Sequence, residues 1–110
     1  MISTHILDTS VGLPAKNVKV ILERIDLNND KSWILIEEKK TNNDGRIVFN
    51  CPFEEGSYRL TFFICDYYKQ QNKEVFFLDT PVAFNVKDSS RKYHVPLLLN
   101  PYGYSTYRGS

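Results

Sequence analysis

The stretch Asn17-Val18-Lys19-Val20-Ile21-Leu22-Glu23-Arg24 decides the fold class, because its apolar and polar side chains alternate. Val18, Val20 and Leu22 share one face of an extended chain, while Lys19 and Glu23 point the other way. A period of two is typical of a β-strand with one buried face, and no helix can use it.

The same alternation recurs along most of the chain. Tyr58, Leu60, Phe62 and Ile64 share one face of a later stretch, which indicates a second strand of the same kind. In all, the pattern predicts about eight short strands: Ile2–Leu7, Asn17–Arg24, Trp33–Glu37, Ile47–Phe49, Ser57–Cys65, Pro81–Lys87, Tyr93–Leu99 and Tyr104–Arg108.

Turn-forming residues separate these strands. Asn42-Asn43-Asp44-Gly45 is the strongest turn signal, since Asn, Asp and Gly tolerate positive φ at little steric cost. One segment, residues 66–72, instead predicts a single short helix with Asp66 as its N-cap. Many short strands with regular turns and almost no helix predict an antiparallel β-sandwich or barrel.

Length and composition narrow the class of protein. The chain has 110 residues, 42% of them hydrophobic and 25% charged, which predicts one folded domain over residues 1–110. A net charge of +1 supplies no field to recruit nucleic acid or an anionic membrane. No apolar run approaches the ~20 residues of a membrane span, and Met1–His5 lacks the features of a signal peptide. We therefore expect a cytoplasmic protein.

Cysteine and metal chemistry have little support. Cys51 and Cys65 lack CxxC spacing, so neither a disulfide framework nor a zinc or redox motif is predicted. Cys65 ends an apolar run, which predicts a buried, inert thiol, and Cys51 is assigned no role. His5 and His94 have no third ligand, so no metal site is predicted. Glycine-rich phosphate loops, HExxH and GxSxG are also missing from the sequence.

The two histidines both project from the faces of their strands that do not form the apolar core. His5 lies on the same side as Ser3, and His94 on the same side as Lys92 and Pro96. Isolated surface histidines are the simpler interpretation. Alternatively, the two imidazoles converge on a pocket outside the sandwich, which a second subunit must close because an outer sheet face is flat and wet.

Two further features have both an ordinary and a functional interpretation. Arg46 follows the Asp44-Gly45 turn and is either a solvated arginine at a strand end or a clamp for an anion or carbonyl. Residues 104–110 are rich in tyrosine and hydroxyl groups. Terminal residues usually fray, but such a compact polar and aromatic ending also suits a place in a site.

Four motifs, in order along the chain, resemble the transthyretin-related 5-hydroxyisourate hydrolases. They are residues 3–10 (Ser-Thr-His-Ile-Leu-Asp-Thr-Ser), Asp44-Gly45-Arg46, residues 94–101 (His-Val-Pro-Leu-Leu-Leu-Asn-Pro) and Tyr107-Arg108-Gly109-Ser110. The similarity runs from end to end, although Asn100 stands where serine is commoner in that family. It implies a transthyretin-like sandwich of two four-stranded sheets with one short helix.

The resemblance also implies an activity and an assembly. The activity is hydrolysis of 5-hydroxyisourate to 2-oxo-4-hydroxy-4-carboxy-5-ureidoimidazoline in urate degradation, with no metal or organic cofactor. The assembly is a homotetramer, a dimer of dimers with active sites in the channel between the dimers.

By matching motif positions, the resemblance implies His5, Arg46, His94 and Ser110 as catalytic residues. His5, Arg46 and Tyr107 are implied to bind substrate. A neutral histidine is a natural general base near pH 7, and an arginine suits substrate oxygens and developing negative charge. We expect His5 and His94 to share the base and orienting roles.

Two other functions remain open at the level of sequence. The transthyretin fold also carries small aromatic hormones, so a carrier without catalysis is the first alternative. The polar residues implied at the site favour catalysis, because a hormone channel needs more apolar side chains. A β-sandwich that only binds other proteins is the second alternative, and it leaves the outward histidines unexplained.

Overall fold

A computed structural model describes residues 1–29, 32–50 and 53–109 of the protein as two packed β-sheets with one short helix. The prediction of an all-β sandwich is confirmed, and a closed barrel is excluded because the two sheets are separate. Ser110, which the resemblance implies as a catalytic residue, and Cys51, which was assigned no role, lie outside the described residues.

The first sheet contains five strands: β1 (Ile2–Asp8), β2 (Leu13–Pro14), β5 (Arg46–Phe49), β8 (Tyr93–Asn100) and β9 (Gly103–Thr106). β1 and β8 lie side by side in its middle, and β9 pairs with the outer edge of β8. The other edge of β1 is shared by β5 and β2. Ile6 lies between them, where its N–H donates to Gly45 O and its carbonyl accepts from Ala15 N.

The second sheet contains four strands in the order β4-β3-β6-β7: β3 (Lys19–Ile25), β4 (Trp33–Lys40), β6 (Gly56–Phe62) and β7 (Thr80–Val86). Neighbouring strands within this sheet all run antiparallel. The helix α1 (Ile64–Lys69) connects β6 to β7. The two sheets thus hold five and four strands, where the resemblance implies four and four. The difference arises because two short strands share one position beside β1.

The core lies between the sheets and is built from the alternating apolar faces. Val18, Val20 and Leu22, which share the first predicted face, are all buried. The largest fully buried side chains come from both sheets and the helix: Tyr58, Tyr68, Phe49, Phe62, Ile2, Ile6, Leu22, Leu60, Ile64, Leu97 and Leu99. Burying a side chain of this size contributes about 1.5–3 kcal/mol each, so the period of two accounts for most of the stabilising burial.

One pair of strands departs from the antiparallel arrangement predicted for the sandwich. β1 and β8 run parallel from Ile2 opposite Tyr93 to Asp8 opposite Leu99, while the other paired strands are antiparallel. Parallel neighbours need a long crossover connection, and here the crossover is most of the chain. Alternation of side chains carries no information about the direction of a partner strand.

The predicted boundary between strand and helix is also wrong. The strand predicted to reach Cys65 ends at Phe62, and α1 begins at Ile64, two residues before the expected start. Phe63 takes the N-cap position without a side-chain hydrogen bond, so Asp66 lies inside the first turn instead. Burial decides this start, because Ile64 and Tyr68 lie four residues apart on one helix face and both pack into the core.

The shift of the helix changes the environment predicted for Cys65. Its side chain lies in the first turn of α1 and is partly exposed, not buried. Partial burial, followed by the nearby carboxylate of Asp79, raises the pKa of the thiol, which favours the unreactive protonated form. The inertness expected of the Cys65 thiol is therefore attributed to its raised pKa and not to full burial.

Candidate functional site

The register of three strands brings the predicted site residues to one outer face of the first sheet. His5 on β1 lies directly opposite Arg46 on β5 and opposite Pro96 on β8. Ser3, which is two residues before His5 and on the same face of β1, lies opposite His94. Because side chains at paired positions point to the same face, the imidazoles and the guanidinium form one polar cluster. The predicted outward orientation of both histidines is confirmed.

Arg46 reaches this face because the turn before it is tightly built. The side chain of Asn42 accepts hydrogen bonds from the backbone N–H groups of Asp44 and Arg46, at 2.9 Å each. Gly45 has φ +72°, and a Cβ there would lie 2.5 Å from the carbonyl oxygen of Ile6. Only glycine combines this φ with so close an approach to β1. The Asn42–Arg46 turn therefore seats Arg46 beside His5.

His94 is held from both sides of its ring. Its Nδ1 lies 2.8 Å from Ser3 Oγ. On the other side, Gly109 donates its N–H to the His94 carbonyl at 2.8 Å, and the two residues form an isolated β-bridge. A Cβ on Gly109 would lie 2.5 Å from His94 Cδ2 and 3.2 Å from Pro96 Cγ. The C-terminal segment, residues 107–109, therefore contacts the His94 ring through Gly109.

The electrostatic surroundings of His94 favour its neutral form. Partial burial of the ring lowers its pKa below the usual 6.5, and the positive charges of Arg46 and His5 act in the same direction. A hydrogen bond with the Ser3 backbone opposes them. At pH 7 His94 is therefore an uncharged imidazole, which can both accept and donate a proton.

Two hollows flank His94. One, of about 230 Å³, is lined by Ser3, Arg46, Lys92 and His94 among others. Within the described part of the chain, its lining contains two basic side chains, Arg46 and Lys92, and no carboxylate, so it suits an anionic or carbonyl-rich ligand. The other, of about 160 Å³, lies between β7 and the C-terminal segment, where Tyr107 contributes to the lining.

The sequence-predicted site residues are thus only partly brought together. His5, Arg46 and His94 form one cluster, as the resemblance implies. Tyr107 is exposed and lines the second hollow, with His94 between it and Arg46. The tail does reach the cluster, but through Gly109. Ser110, the fourth implied catalytic residue, lies outside the described residues.

Sequence reasoning missed two residues that build the site. Ser3 was noted only as sharing a face with His5, and its contact with His94 depends on the parallel pairing of β1 and β8. Gly109 was noted only as part of a motif. A glycine next to a chain end gives no signal for a ring packed against it, so only the tertiary structure assigns its role.

A buried carboxylate fixes the far end of β1. Asp8 is fully buried and accepts hydrogen bonds from Ser10 N, Ser10 Oγ and Tyr67 Oη, the last at 2.8 Å. Burial and the hydrogen bond to Asp8 raise the pKa of Tyr67 to about 12. This contact links α1 to the strand that carries His5, and it keeps the buried charge of Asp8 satisfied.

The structure offers little for a metal. Residues 1–29, 32–50 and 53–109 contain no group of three or more histidine, cysteine or acidic side chains able to hold a metal ion. Across the same residues, none of the helical structure has the length and apolar character needed to cross a membrane.

Comparisons with known proteins agree with this arrangement. The model of the HIUase/Transthyretin family matches residues 2–109. A probable 5-hydroxyisourate hydrolase from Caenorhabditis elegans is 45% identical over 112 residues, which cover 99% of this chain and 81% of the relative.

Two solved structures share the fold. The 5-hydroxyisourate hydrolase of Klebsiella pneumoniae superimposes with a TM-score of 0.84 at 35% identity, covering 99% of this chain and 98% of the other. Sea bream transthyretin in complex with thyroxine gives a TM-score of 0.90 at 27% identity, covering 98% and 93%. Because the family model matches the chain from residue 2 to residue 109, the chain belongs to the HIUase/Transthyretin family.

Proposed function

We propose that this protein is an enzyme that hydrolyses 5-hydroxyisourate to 2-oxo-4-hydroxy-4-carboxy-5-ureidoimidazoline, a step of urate degradation in purine metabolism. The juxtaposition of His5, Arg46 and His94 on one sheet face is the observation that carries this proposal. The relatives named 5-hydroxyisourate hydrolase, similar over the whole chain, support the choice of substrate.

The reaction needs an activated water and a stabilised oxyanion. Water loses a proton to a neutral imidazole as its oxygen bonds to the ring carbonyl carbon of the substrate. The carbonyl oxygen becomes negative, and the Arg46 guanidinium beside it offers a fixed charge and a planar set of donors. The ring C–N bond then breaks, and the released nitrogen takes the proton back from imidazolium.

The neutral state of His94 suits the first of these steps. A histidine already protonated at pH 7 cannot take a proton from water, and burial together with Arg46 keeps His94 unprotonated. His5 lies beside Arg46 on the same face and shares the orienting role in this proposal. No step requires a metal or an organic cofactor.

The remaining implied roles extend the proposal to the C-terminal segment. Tyr107 binds the purine-derived ring, and Ser110 orients the water or a histidine. The contact of Gly109 with His94 supports a role for this segment, since it brings the chain, as far as residue 109, against the cluster. Tyr107→Phe and Ser110→Ala are the direct tests, each expected to reduce kcat/KM in the assay below.

The assembly and location form a further part of the proposal. The chain acts as one domain over residues 1–110, as a homotetramer in the cytoplasm, with the polar face of each first sheet turned toward a neighbouring subunit. The open polar cluster on a sheet face supports this, because a catalytic site must exclude bulk water. Light scattering should give a mass near four chains, and cell fractionation tests the location.

A carrier without catalysis is the second candidate, supported by the TM-score of 0.90 to transthyretin in complex with thyroxine. The lining of the larger hollow argues against it. Arg46, Lys92 and His94 place charge and hydrogen-bonding groups in this hollow beside Met1, Ile47 and Val48, and such groups suit an anionic or carbonyl-rich ligand better than an apolar one.

The test is an assay with freshly generated 5-hydroxyisourate, made in the cuvette from urate by urate oxidase. The ultraviolet absorbance decay with the protein is compared with the spontaneous decay. We expect clear acceleration, lost in His5→Ala and His94→Ala variants that fold normally. Decay at the spontaneous rate with the folded wild type would overturn the proposed function and leave the carrier as the better candidate.

A further inference from the structure

We propose that Ser3 is a positioning residue for this hydrolysis: Nδ1–H of His94 donates to Ser3 Oγ, and the lone pair of Nε2 faces the substrate. The inference rests on the proposed function for its kinetic consequences. It assigns to Ser3 a role that follows from the contact of the two side chains.

The backbone makes this contact specific. Ser3 and His94 are register partners on parallel strands, and their side chains meet at 2.8 Å between Oγ and Nδ1. The next residue, Thr4, is fully buried and donates its hydroxyl to the carbonyl of Val95 at 2.6 Å. This second link holds β1 and β8 together beside the pair. The Ser3 hydroxyl is therefore held in place by the fold.

The opposite side of the ring is closed by Gly109. Its α-carbon lies so near that an added Cβ would approach His94 Cδ2 to 2.5 Å. Nδ1 lies against Ser3 and Cδ2 lies against Gly109. A flip of the ring would exchange these two atoms, so the hydrogen bond with Ser3 would be lost and a nitrogen would face Gly109. Among the described residues, Nε2 has no hydrogen-bond partner, which leaves it as the nitrogen available to substrate.

Chemistry then links the partner of Nδ1 to the role of Nε2. A neutral imidazole carries one N–H and one lone pair, so a proton held on Nδ1 leaves Nε2 basic. The hydrogen-bond partner of one ring nitrogen commonly sets the tautomer of a functional histidine.

The kinetic test compares Ser3→Ala with Ser3→Thr. Ser3→Ala should lower kcat about tenfold or more with KM changed little, since orientation of a reacting group is lost while binding groups remain. Ser3→Thr keeps a hydroxyl at the same position and should recover most of the rate. Ser57→Ala is the matched control, because Ser57 is also a partly buried strand serine bonded to a side chain, that of Asn85. Unchanged kcat in Ser3→Ala would overturn the proposal.

The spectroscopic test reads the tautomer directly from the ¹⁵N chemical shifts of the two histidines, with His5→Gln used for assignment. In the wild type, Nδ1 of His94 should carry the proton, and Ser3→Ala should give a mixture of tautomers and a lower His94 pKa. A wild-type His94 protonated at Nε2 would contradict the proposal. This measurement needs no substrate, so it tests Ser3 even if the proposed function fails.

Discussion

Arg46 and His5 are direct cross-strand partners on β5 and β1, so a permanent cation lies beside one of the two histidines of the protein. Both groups also act on His94, whose pKa they lower together with burial. Sheet register alone produces this arrangement. A one-residue slip of β5 would turn Arg46 into the core.

The first prediction concerns this coupling. Arg46→Gln should raise the pKa of His94 toward its usual value, because one of the charges that disfavour its protonated form is removed. The shift is measured by ¹⁵N or ¹H NMR titration of the His94 ring. Lys69→Gln removes an exposed positive charge at the end of α1 and is expected to leave the titration unchanged. Equal titration of His94 in wild type and Arg46→Gln would show that the coupling is negligible.

The second prediction concerns the pH dependence of activity. Burial and the charge of Arg46 lower the pKa of His94 from its usual 6.5, so kcat/KM should fall on the acid side with a midpoint below pH 6.5, as the ring becomes protonated. Initial rates corrected for spontaneous decay measure this. A decline that begins near pH 8 would mean that some other group controls the rate.

The third prediction concerns Gly109. Gly109→Ala introduces a Cβ 2.5 Å from His94 Cδ2, and the ring must move away. We expect a loss of about tenfold or more in kcat/KM with little change in stability, because a side chain and not the backbone yields. Gly103→Ala is the control, since the atoms nearest to its Cβ are those of the Asn100 side chain at 3.8 Å. Full activity in Gly109→Ala would show that the His94 orientation is unimportant.

The fourth prediction separates two costs at Gly45. Gly45 and Gly12 both have positive φ, +72° and +69°, but only Gly45 would press its Cβ against backbone, at Ile6 O. Gly12→Ala should cost about 1–2 kcal/mol for the left-handed conformation, and Gly45→Ala about 3 kcal/mol or more. Urea denaturation gives both values. Equal destabilisation by the two changes would refute the close approach.

The fifth prediction concerns the contact between α1 and β1. Tyr67→Phe should lower the free energy of unfolding by about 1–3 kcal/mol, since the buried carboxylate of Asp8 loses a hydrogen bond. The pKa of Tyr67 is raised to about 12 in the folded protein, above its usual 10. The unfolded state therefore loses this proton first as pH rises, and the stabilisation is complete below pH 10 and lost toward pH 12.

Denaturation curves at pH 8 and pH 11 check both parts of the fifth prediction. The free energy of unfolding should fall less between these two pH values in Tyr67→Phe than in the wild type. Tyr104→Phe is the matched control, as its exposed ring keeps the edge contact with Phe77. A Tyr67→Phe protein as stable as the wild type at pH 8 would show that other donors already satisfy Asp8.

Much of the fold could be predicted because burial repeats every second residue. The faces of Val18, Val20 and Leu22 and the outward direction of both histidines follow from alternation alone. The start of α1 could not be predicted in this way. Ile64 fits the strand period as well as the helix, and only its packing with Tyr68 in the core selects the helix.

In the candidate site, too, some features follow from the sequence and others only from the tertiary structure. Local patterns in the sequence determined the all-β class, the turn that presents Arg46 and the polar faces that carry His5 and His94. The tertiary structure alone decided that β8 runs parallel beside β1, and hence that Ser3 meets His94 across 91 positions of chain. The physical reason is that side-chain alternation records which face is buried. The choice of neighbour, direction and register depends on contacts between residues far apart in sequence.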